Sequence, residues 1–258
     1  MGYKKLDLTG RTAVVIGGTS GIGRAIAFGL LEAGANIVCA SRSQQSVDKT
    51  ANEIEALSAR TIRSTVDVSD KSSLERLLEA SIAEFGKVDI LVNSAGITKR
   101  TPTLEVDEDD WNDIIETNLN GTLRSCQVFG KHMISNSYGR IINIASLSSF
   151  VSLFEVTAYS ASKAAVASLT KSLAIEWARY GVNVNAIAPG VFRTALNEKL
   201  LDDTPRGKEF LIRTPIGRFG KVEELAGAAI LLASEAASFI TGEIIVVDGG
   251  FLASGVNQ

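Results

Sequence analysis

Tyr159 and Lys163 stand four residues apart in the segment Y-S-A-S-K, a spacing that places both side chains on one face of a helix. A free phenol titrates at about pH 10, so proton exchange near pH 7 needs about 4 kcal/mol of preferential stabilisation of the phenolate. One ammonium about 4 Å away, at an effective dielectric constant of about 20, supplies about that much. The pair therefore predicts acid–base chemistry at Tyr159, with Lys163 lowering its pKa.

A glycine-rich segment, I-G-G-T-S-G-I-G-R, follows the first Val/Ile-rich run of the chain and precedes a helical pattern. A helix N-terminus at such a turn can hold a pyrophosphate through backbone N–H groups and the helix dipole. We expect Gly17 to allow the sharp turn, Gly21 to allow close approach of the phosphate and Gly23 to let the helix pack on the strand. Because no G-K-[S/T] follows, the segment favours a dinucleotide over a mononucleotide.

The second Val/Ile-rich run ends at Ala40 and is followed by Ser41 and Arg42. At this position an NAD-specific fold usually presents a carboxylate to the ribose hydroxyls. Arg42 has the planar fork that grips a 2′-phosphate bidentately. NADP(H) is therefore favoured as the cofactor, and NAD(H) stays possible. The alternative is that Arg42 is only a solvated surface residue.

Short apolar runs rich in β-branched residues alternate with helical patterns along the chain. The runs predict seven strands, at 12–16, 36–40, 61–66, 88–92, 140–144, 182–188 and 243–247. The helical patterns lie at 21–33, 47–57, 71–85, 107–133, 158–180 and 222–233. This alternation predicts an α/β fold: a single-domain, Rossmann-like, doubly wound parallel sheet with helices on both faces.

One domain is expected over residues 1–258, with a substrate loop or lid at about 189–220, where the alternation is interrupted. The net charge of −3 includes no basic block, so neither nucleic acid nor an anionic membrane is expected as a partner. The N-terminal segment has no apolar stretch typical of a secretory signal, and we expect a cytoplasmic protein that acts on a small molecule.

Ser146 follows the run at 140–144 and is expected at the carboxyl end of a parallel strand, where ligands bind. With these motifs the chain resembles a classical short-chain dehydrogenase/reductase over essentially its full length. The matching features are G-G-T-S-G-I-G at 17–23, V-D-V at 66–68, N-S-A-G at 93–96, Asn118, Ser146, Y-S-A-S-K at 159–163 and P-G at 189–190 followed by Thr194. Ile16 and Ser94 depart from the family's usual Thr and Asn.

The resemblance implies a catalytic tetrad of Asn118, Ser146, Tyr159 and Lys163, in which Asn118 bends its helix and holds a water that passes protons to Lys163. It implies hydride transfer between a nicotinamide and a substrate carbon, while Tyr159 exchanges the proton on oxygen and Ser146 positions that oxygen. The predicted and implied cofactor-binding residues are Gly17, Thr19, Ser20, Gly21, Ile22, Gly23, Ser41, Arg42, Asp67, Val68, Asn93, Ala95, Gly96, Tyr159, Lys163, Pro189, Gly190, Val191 and Thr194. No metal is expected.

The segments at 95–102, 188–194 and 213–220 are similar to those of the gluconate 5-dehydrogenase and 2-deoxy-gluconate (ketodeoxyuronate) dehydrogenase branch of the family. A sugar acid or polyol substrate is implied, touching Arg100, Ser146 and Tyr159. Lys99 and Arg100 are both expected within reach of a substrate carboxylate, and Arg100 has the planar guanidinium suited to it. One alternative is a 3-oxoacyl-carrier-protein reductase, which has the same tetrad. Another is a non-catalytic NADP(H)-binding module. The resemblance also implies a homotetramer.

Overall fold

Short runs of Val, Ile and Ala form a parallel sheet in the computed structural model, which describes residues 3–194 and 197–255. Its strands are β1 (Thr12–Ile16), β2 (Asn36–Ala40), β3 (Ile90–Asn93), β4 (Gly139–Ile144), β5 (Val182–Pro189) and β6 (Ile244–Val247). Ala13 and Val15 face one apolar cluster and Val14 and Ile16 face the other, because successive side chains of a strand point to opposite faces. Burial of β1 to β5 on both faces explains why these runs lack polar alternation, whereas β6 at the edge of the sheet is partly exposed.

Helices cover both faces of this sheet. The helices of the described residues are α1 (Gly21–Glu32), α2 (Gln44–Ala56), α3 (Lys71–Phe85), α4 (Glu108–Ile115), α5 (Gly121–Ser135), α6 (Thr157–Trp177), α7 (Glu198–Leu201), α8 (Pro205–Arg213) and α9 (Ala226–Ala233). Leu30 of α1 and Leu232 of α9 belong to one apolar cluster, and Leu77 of α3, Phe129 of α5 and Leu173 of α6 to the other. No helix in the described residues is long and apolar enough to cross a membrane.

The sheet has six strands in the described residues, so the prediction of seven was wrong. The run at 61–66 is extended and lies beside β2, where Thr61 Oγ1 donates to the carbonyl of Ile37 and Val66 N–H donates to that of Ser41. This single backbone hydrogen bond is too few for the regular backbone pairing of a β-ladder. The run has strand-like residue types and an extended course, but the pairing that defines a strand is missing.

Other boundaries also differ from the sequence-based expectation. Helix α2 begins three residues earlier than expected because the Ser43 side chain accepts a hydrogen bond from Ser46 N–H and caps it. The helix expected at 107–133 is divided by a π-helical segment at Glu116–Asn120. The segment 189–220 contains α7 and α8, and its residues 195–196 lie outside the described residues.

The order of the strands across the sheet is β2-β1-β3-β4-β5-β6. The chain therefore moves from β1 to β2 on one side and then returns to place β3 on the other side of β1. A crevice opens at such a reversal, beyond the carboxyl ends of the strands. The segments that follow β1 and β3 border this crevice.

Candidate active site

The turn after β1 is built by two glycines that leave no room for side chains. Gly17 has a φ of +80°, and a Cβ on it would lie 2.7 Å from the backbone N of Ala95. A Cβ on Gly23 would lie 2.3 Å from the Gly17 carbonyl oxygen. Gly17 therefore lets the turn touch the segment after β3, and Gly23 lets α1 pack on the turn itself rather than on a strand.

Gly21 at the start of α1 faces open space. It has a φ of +49°, and the nearest atom to a Cβ on it would be Cγ2 of Thr194, 3.9 Å away. Ser20 precedes the helix without a side-chain cap, so the first N–H groups of α1 are left for another acceptor. The turn thus has the open, N–H-lined surface that a pyrophosphate needs, and the residues present fit a dinucleotide.

The segment after β5 reaches the same surface. Pro189 ends that strand, and a Cβ on Gly190 would lie 2.6 Å from the Cα of Asp248. Val191 accepts a hydrogen bond from Gly220 N–H through its carbonyl, and Thr194 N–H donates to the Asn197 side chain. These contacts hold Thr194 opposite Gly21.

The other end of the crevice carries the residues after β2. Thr19 Oγ1 donates to the Ser41 hydroxyl at 2.9 Å, which ties the glycine-rich turn to that strand. Arg42 is exposed beside it. Asp67 accepts from Ser69, which holds the pKa of its carboxyl below the usual range, and the charge of Arg42 lowers it further. Val68 is buried against α5, where a Cβ on Gly121 would lie 2.6 Å from Val68 Cγ2.

The segment after β3 joins the glycine-rich turn to the residues expected to do chemistry. Asn93 is buried and donates to Asn143 of the neighbouring strand at 2.9 Å. Ala95 lies against Gly17, and a Cβ on Gly96 would lie 3.3 Å from Asn118 Oδ1 and 3.6 Å from Lys163 Nζ. A Cβ at 96 would therefore crowd Asn118 Oδ1 and lie in van der Waals contact with Lys163 Nζ.

Asn118 is fully buried in the π-helical segment and fixes the loop after β3. Its Oδ1 accepts from Ile97 N–H at 2.8 Å, and its Nδ2 donates to the Ile97 carbonyl at 2.9 Å and to Ser162 Oγ at 3.0 Å. Thr122 Oγ1 donates to the Asn118 carbonyl at 2.7 Å. Asn118 thus links three elements: the loop after β3, the divided helix and α6.

Tyr159 lies in the first turn of α6 and is half-buried near Ser146, which follows β4. Burial raises the pKa of Tyr159 above its ordinary value, and a hydrogen bond with the Ser146 hydroxyl partly offsets this rise. The Ser146 oxygen also accepts from Ser148 N–H at 3.1 Å, which orients it. A hydroxyl oriented in this way is suited to hold a substrate oxygen beside Tyr159.

Lys163 is 5% exposed, and its ammonium donates to the carbonyl of Ile144 at 2.7 Å. Burial lowers the pKa of Lys163 to about 8. Its Nζ lies 5.8 Å from the centre of the Tyr159 ring. The expectation that Lys163 lowers the pKa of Tyr159 is therefore not met among the protein's own groups, because burial opposes the charged form of both side chains.

The two cations expected near a substrate carboxylate are both ion-paired. Lys99 pairs with Asp110, and Nε of Arg100 lies 2.6 Å from Oε2 of Glu155. Arg206 of α8 lies close to Arg100 and Glu155, a proximity that sequence reasoning missed because more than one hundred residues separate Arg100 from Arg206.

The described residues contain no group of three or more His, Cys, Asp or Glu side chains that could hold a metal ion.

A family model described as enoyl-(acyl carrier protein) reductase matches residues 16–252. The chain is 42% identical to 2-dehydro-3-deoxy-D-gluconate 5-dehydrogenase of Dickeya dadantii (strain 3937), with 96% of this chain and 97% of that protein covered. The chain belongs to the short-chain dehydrogenase/reductase family. It is an oxidoreductase, as its relatives in that family are.

Two further relatives differ in what they act on. An NAD-dependent glycerol dehydrogenase of Listeria innocua serovar 6a (strain ATCC BAA-680 / CLIP 11262) is 39% identical, with 96% of each chain covered. The crystal structure of a gluconate 5-dehydrogenase from Burkholderia cenocepacia J2315, in complex with NADP and tartrate, has a TM-score of 0.94 and 38% identity and covers 98% of this chain and 99% of its own. The dehydrogenase/reductase described here is thus similar to enzymes of acids and of neutral polyols.

Substituting Gly17 by Ala is expected to weaken NADPH binding by at least about tenfold and to cost about 1–3 kcal/mol of stability, because the new Cβ meets backbone atoms after β3. Gly10→Ala is the matched control, since Gly10 has a φ of +78° and nothing within 4 Å of a Cβ. NADPH fluorescence titration and urea unfolding measure both effects. Equal effects of the two substitutions would contradict the close approach at Gly17.

The pKa of Lys163 predicts a pH-dependent stability. Between about 8 in the folded chain and 10.5 in the unfolded one, the unfolded state binds more protons, so the contribution of Lys163 to stability rises with pH. Relative to Lys163→Met, the wild-type free energy of unfolding should rise by about 3 kcal/mol from pH 7 to pH 11. Urea unfolding across this range tests it, with Lys171→Met on the exposed side of α6 as the control. A difference that does not change with pH would refute the burial of the ammonium.

Proposed function

We propose that this protein transfers a hydride between NADP(H) and a carbonyl or secondary alcohol of a sugar acid or polyol, in the manner of a gluconate 5-dehydrogenase. The observation that carries the proposal is the continuous contact from Gly17 through Ala95 and Gly96 to Asn118 and Lys163. It brings a dinucleotide-binding turn and a proton-transfer group into one crevice. The substrate class is supported by relatives that are named for sugar acids and polyols and that align with nearly the full chain.

In this proposal Tyr159 exchanges a proton with the substrate oxygen, and Ser146 donates a hydrogen bond that positions the same oxygen. Lys163 holds its charge at the Ile144 carbonyl, one helical turn from Tyr159. Asn118 keeps the loop after β3 in place through its two hydrogen bonds to Ile97. A bound nicotinamide supplies or accepts the hydride and, when oxidised, adds a positive charge to the site.

The cofactor would lie along the crevice. The residues we propose to hold it are Gly17, Thr19, Ser20, Gly21, Ile22, Gly23, Ser41, Arg42, Asp67, Val68, Asn93, Ala95, Gly96, Tyr159, Lys163, Pro189, Gly190, Val191 and Thr194. NADP(H) is preferred to NAD(H) because Arg42 is an exposed cation beside Ser41, with no acidic residue in the positions where a carboxylate would bind ribose hydroxyls.

Residues 1–258 act as one catalytic unit in this proposal, with 189–220 as a lid over the substrate. The protein is proposed to be a cytoplasmic homotetramer. The exposed side chains of Trp111, Ile175 and Phe239 are apolar surface that association would cover.

The 3-oxoacyl-carrier-protein reductase and the non-catalytic module are not retained, because the relatives named above are dehydrogenases of small acids and polyols.

Replacing Tyr159 by Phe is expected to lower kcat by roughly 10²–10⁴-fold, because the proton donor and acceptor is lost while the ring is kept. NADPH affinity should change less than about threefold, because the ring of residue 159 is kept and the other proposed cofactor contacts are untouched. Tyr180→Phe at a partly exposed position is the control and should keep full activity. Activity is read from NADPH absorbance with a panel of sugar acids and polyols. A fully active Tyr159→Phe enzyme would exclude the assigned role.

The preference for NADP(H) is tested by Arg42→Ala. Loss of a charge-assisted bidentate hydrogen bond is expected to raise KM for NADPH by roughly 10–100-fold and to leave KM for NADH nearly unchanged. Steady-state kinetics with both cofactors at saturating substrate measure the difference. Should both KM values rise together, Arg42 would not be reading the 2′-phosphate.

A further inference from the structure

Three charged side chains from different elements meet at the mouth of the crevice. Arg100 lies in the loop after β3, Glu155 lies two residues before α6, and Arg206 lies in the first turn of α8. Nε of Arg100 is 2.6 Å from Oε2 of Glu155, and Nη1 of Arg206 donates to the carbonyl of Phe154 at 3.2 Å. The half-buried guanidinium of Arg206 interacts electrostatically with both Arg100 and Glu155.

The charges of these three side chains do not balance. Two guanidinium groups face one carboxylate, which leaves one positive charge. Glu209 also acts on Arg206, but its ion-pair partner Arg213, 3.3 Å away on the same helix, adds a positive charge of its own, so one positive charge remains in excess. Arg100 uses Nε for Glu155, so its two terminal nitrogens, which have no other partner among the described residues, are left for a second acceptor.

This group of charges is fastened to the helix turn that carries Tyr159. Thr101 N–H donates to the Glu155 carbonyl at 2.8 Å, and the hydroxyls of Thr103 and Thr157 are 2.7 Å apart. Glu155 is four residues before Tyr159, and it has a φ of +62°, which strains a non-glycine residue. Such strain is typical of functional positions.

We propose that Arg206, together with Arg100, binds the carboxylate of the substrate, and that Glu155 keeps the two guanidinium groups in place until the substrate carboxylate arrives. The proposal rests on the proposed function and makes it narrower, because it selects sugar acids over neutral polyols. A second carboxylate would neutralise the remaining positive charge, and Arg presents the planar fork that suits it. Recognition would then come from α8 as well as from the loop after β3.

The test compares D-gluconate with D-glucitol, which has a CH₂OH group in place of the carboxylate. Arg206→Gln is expected to lower kcat/KM for the acid by roughly 10–100-fold, mainly through KM, and to change that for the polyol less than about twofold. Arg206→Lys should recover part of the loss. Arg213→Gln, on the exposed face of the same helix, is the matched control and should change neither.

Glu155→Gln provides a readout that a purely structural role would not produce. A glutamine there can still accept hydrogen bonds from the two guanidinium groups, but it has no negative charge that competes with the substrate carboxylate. KM for D-gluconate should therefore fall by about two- to fivefold, an effect opposite in direction to that of Arg206→Gln. Equal losses of kcat/KM for D-gluconate and D-glucitol in Arg206→Gln, or a higher KM for D-gluconate in Glu155→Gln, would overturn the proposal.

Binding of D-gluconate to the NADP complex, measured by calorimetry, separates this inference from the proposed function. If the wild-type enzyme binds D-gluconate and Arg206→Gln does not, the carboxylate site stands even where no sugar acid is turned over, and only the proposed function fails. If both bind it equally while the wild type oxidises it, the proposed function stands and the role of Arg206 is overturned.

Discussion

The burial of one ammonium is the constraint on which the site depends. Lys163 is held beneath the crevice by the Ile144 carbonyl, so its position is set by the end of β4 as well as by its own helix. A charge in that place is costly unless it is compensated, which is why its pKa falls to about 8. Gly96 keeps the space beside this ammonium free of a side chain, and the hydrogen bonds of Asn118 to Ile97 hold the neighbouring loop in place.

The same burial changes the electrostatic account of Tyr159. A simple Coulomb estimate makes Lys163 sufficient to bring a phenol to neutral pH, but it neglects the cost of removing both groups from water. In the protein alone, desolvation dominates and the pKa of Tyr159 rises. In the proposed function, an oxidised nicotinamide beside Tyr159 would add a positive charge that favours the phenolate, so proton transfer would be coupled to cofactor binding.

Much of the fold and of the candidate site could be predicted from the sequence because both depend on local patterns. Strands β1 to β5 coincide with buried apolar runs and β6 with a partly exposed one, and Asn118, Ser146, Tyr159 and Lys163 lie in recognisable segments. The run at 61–66 was misassigned because residue types show strand preference but not whether a neighbour completes the ladder. The π-helical turn at Glu116–Asn120 likewise has no distinct periodic signal over five residues.

The pairing of Arg100 with Glu155, and the nearby Arg206, could not be predicted for a different reason. Each residue alone is typical of a solvated loop or helix, and only the fold brings them together. Glu155 adjoins α6, which carries Tyr159 and Lys163, and Arg100 lies in the loop after β3, whereas Arg206 belongs to a helix in the interruption between β5 and α9. With Arg206 in the role proposed for it, selection between acids and polyols would change through α8 while the tyrosine, lysine and glycine-rich turn stay the same, which is consistent with relatives named for both classes.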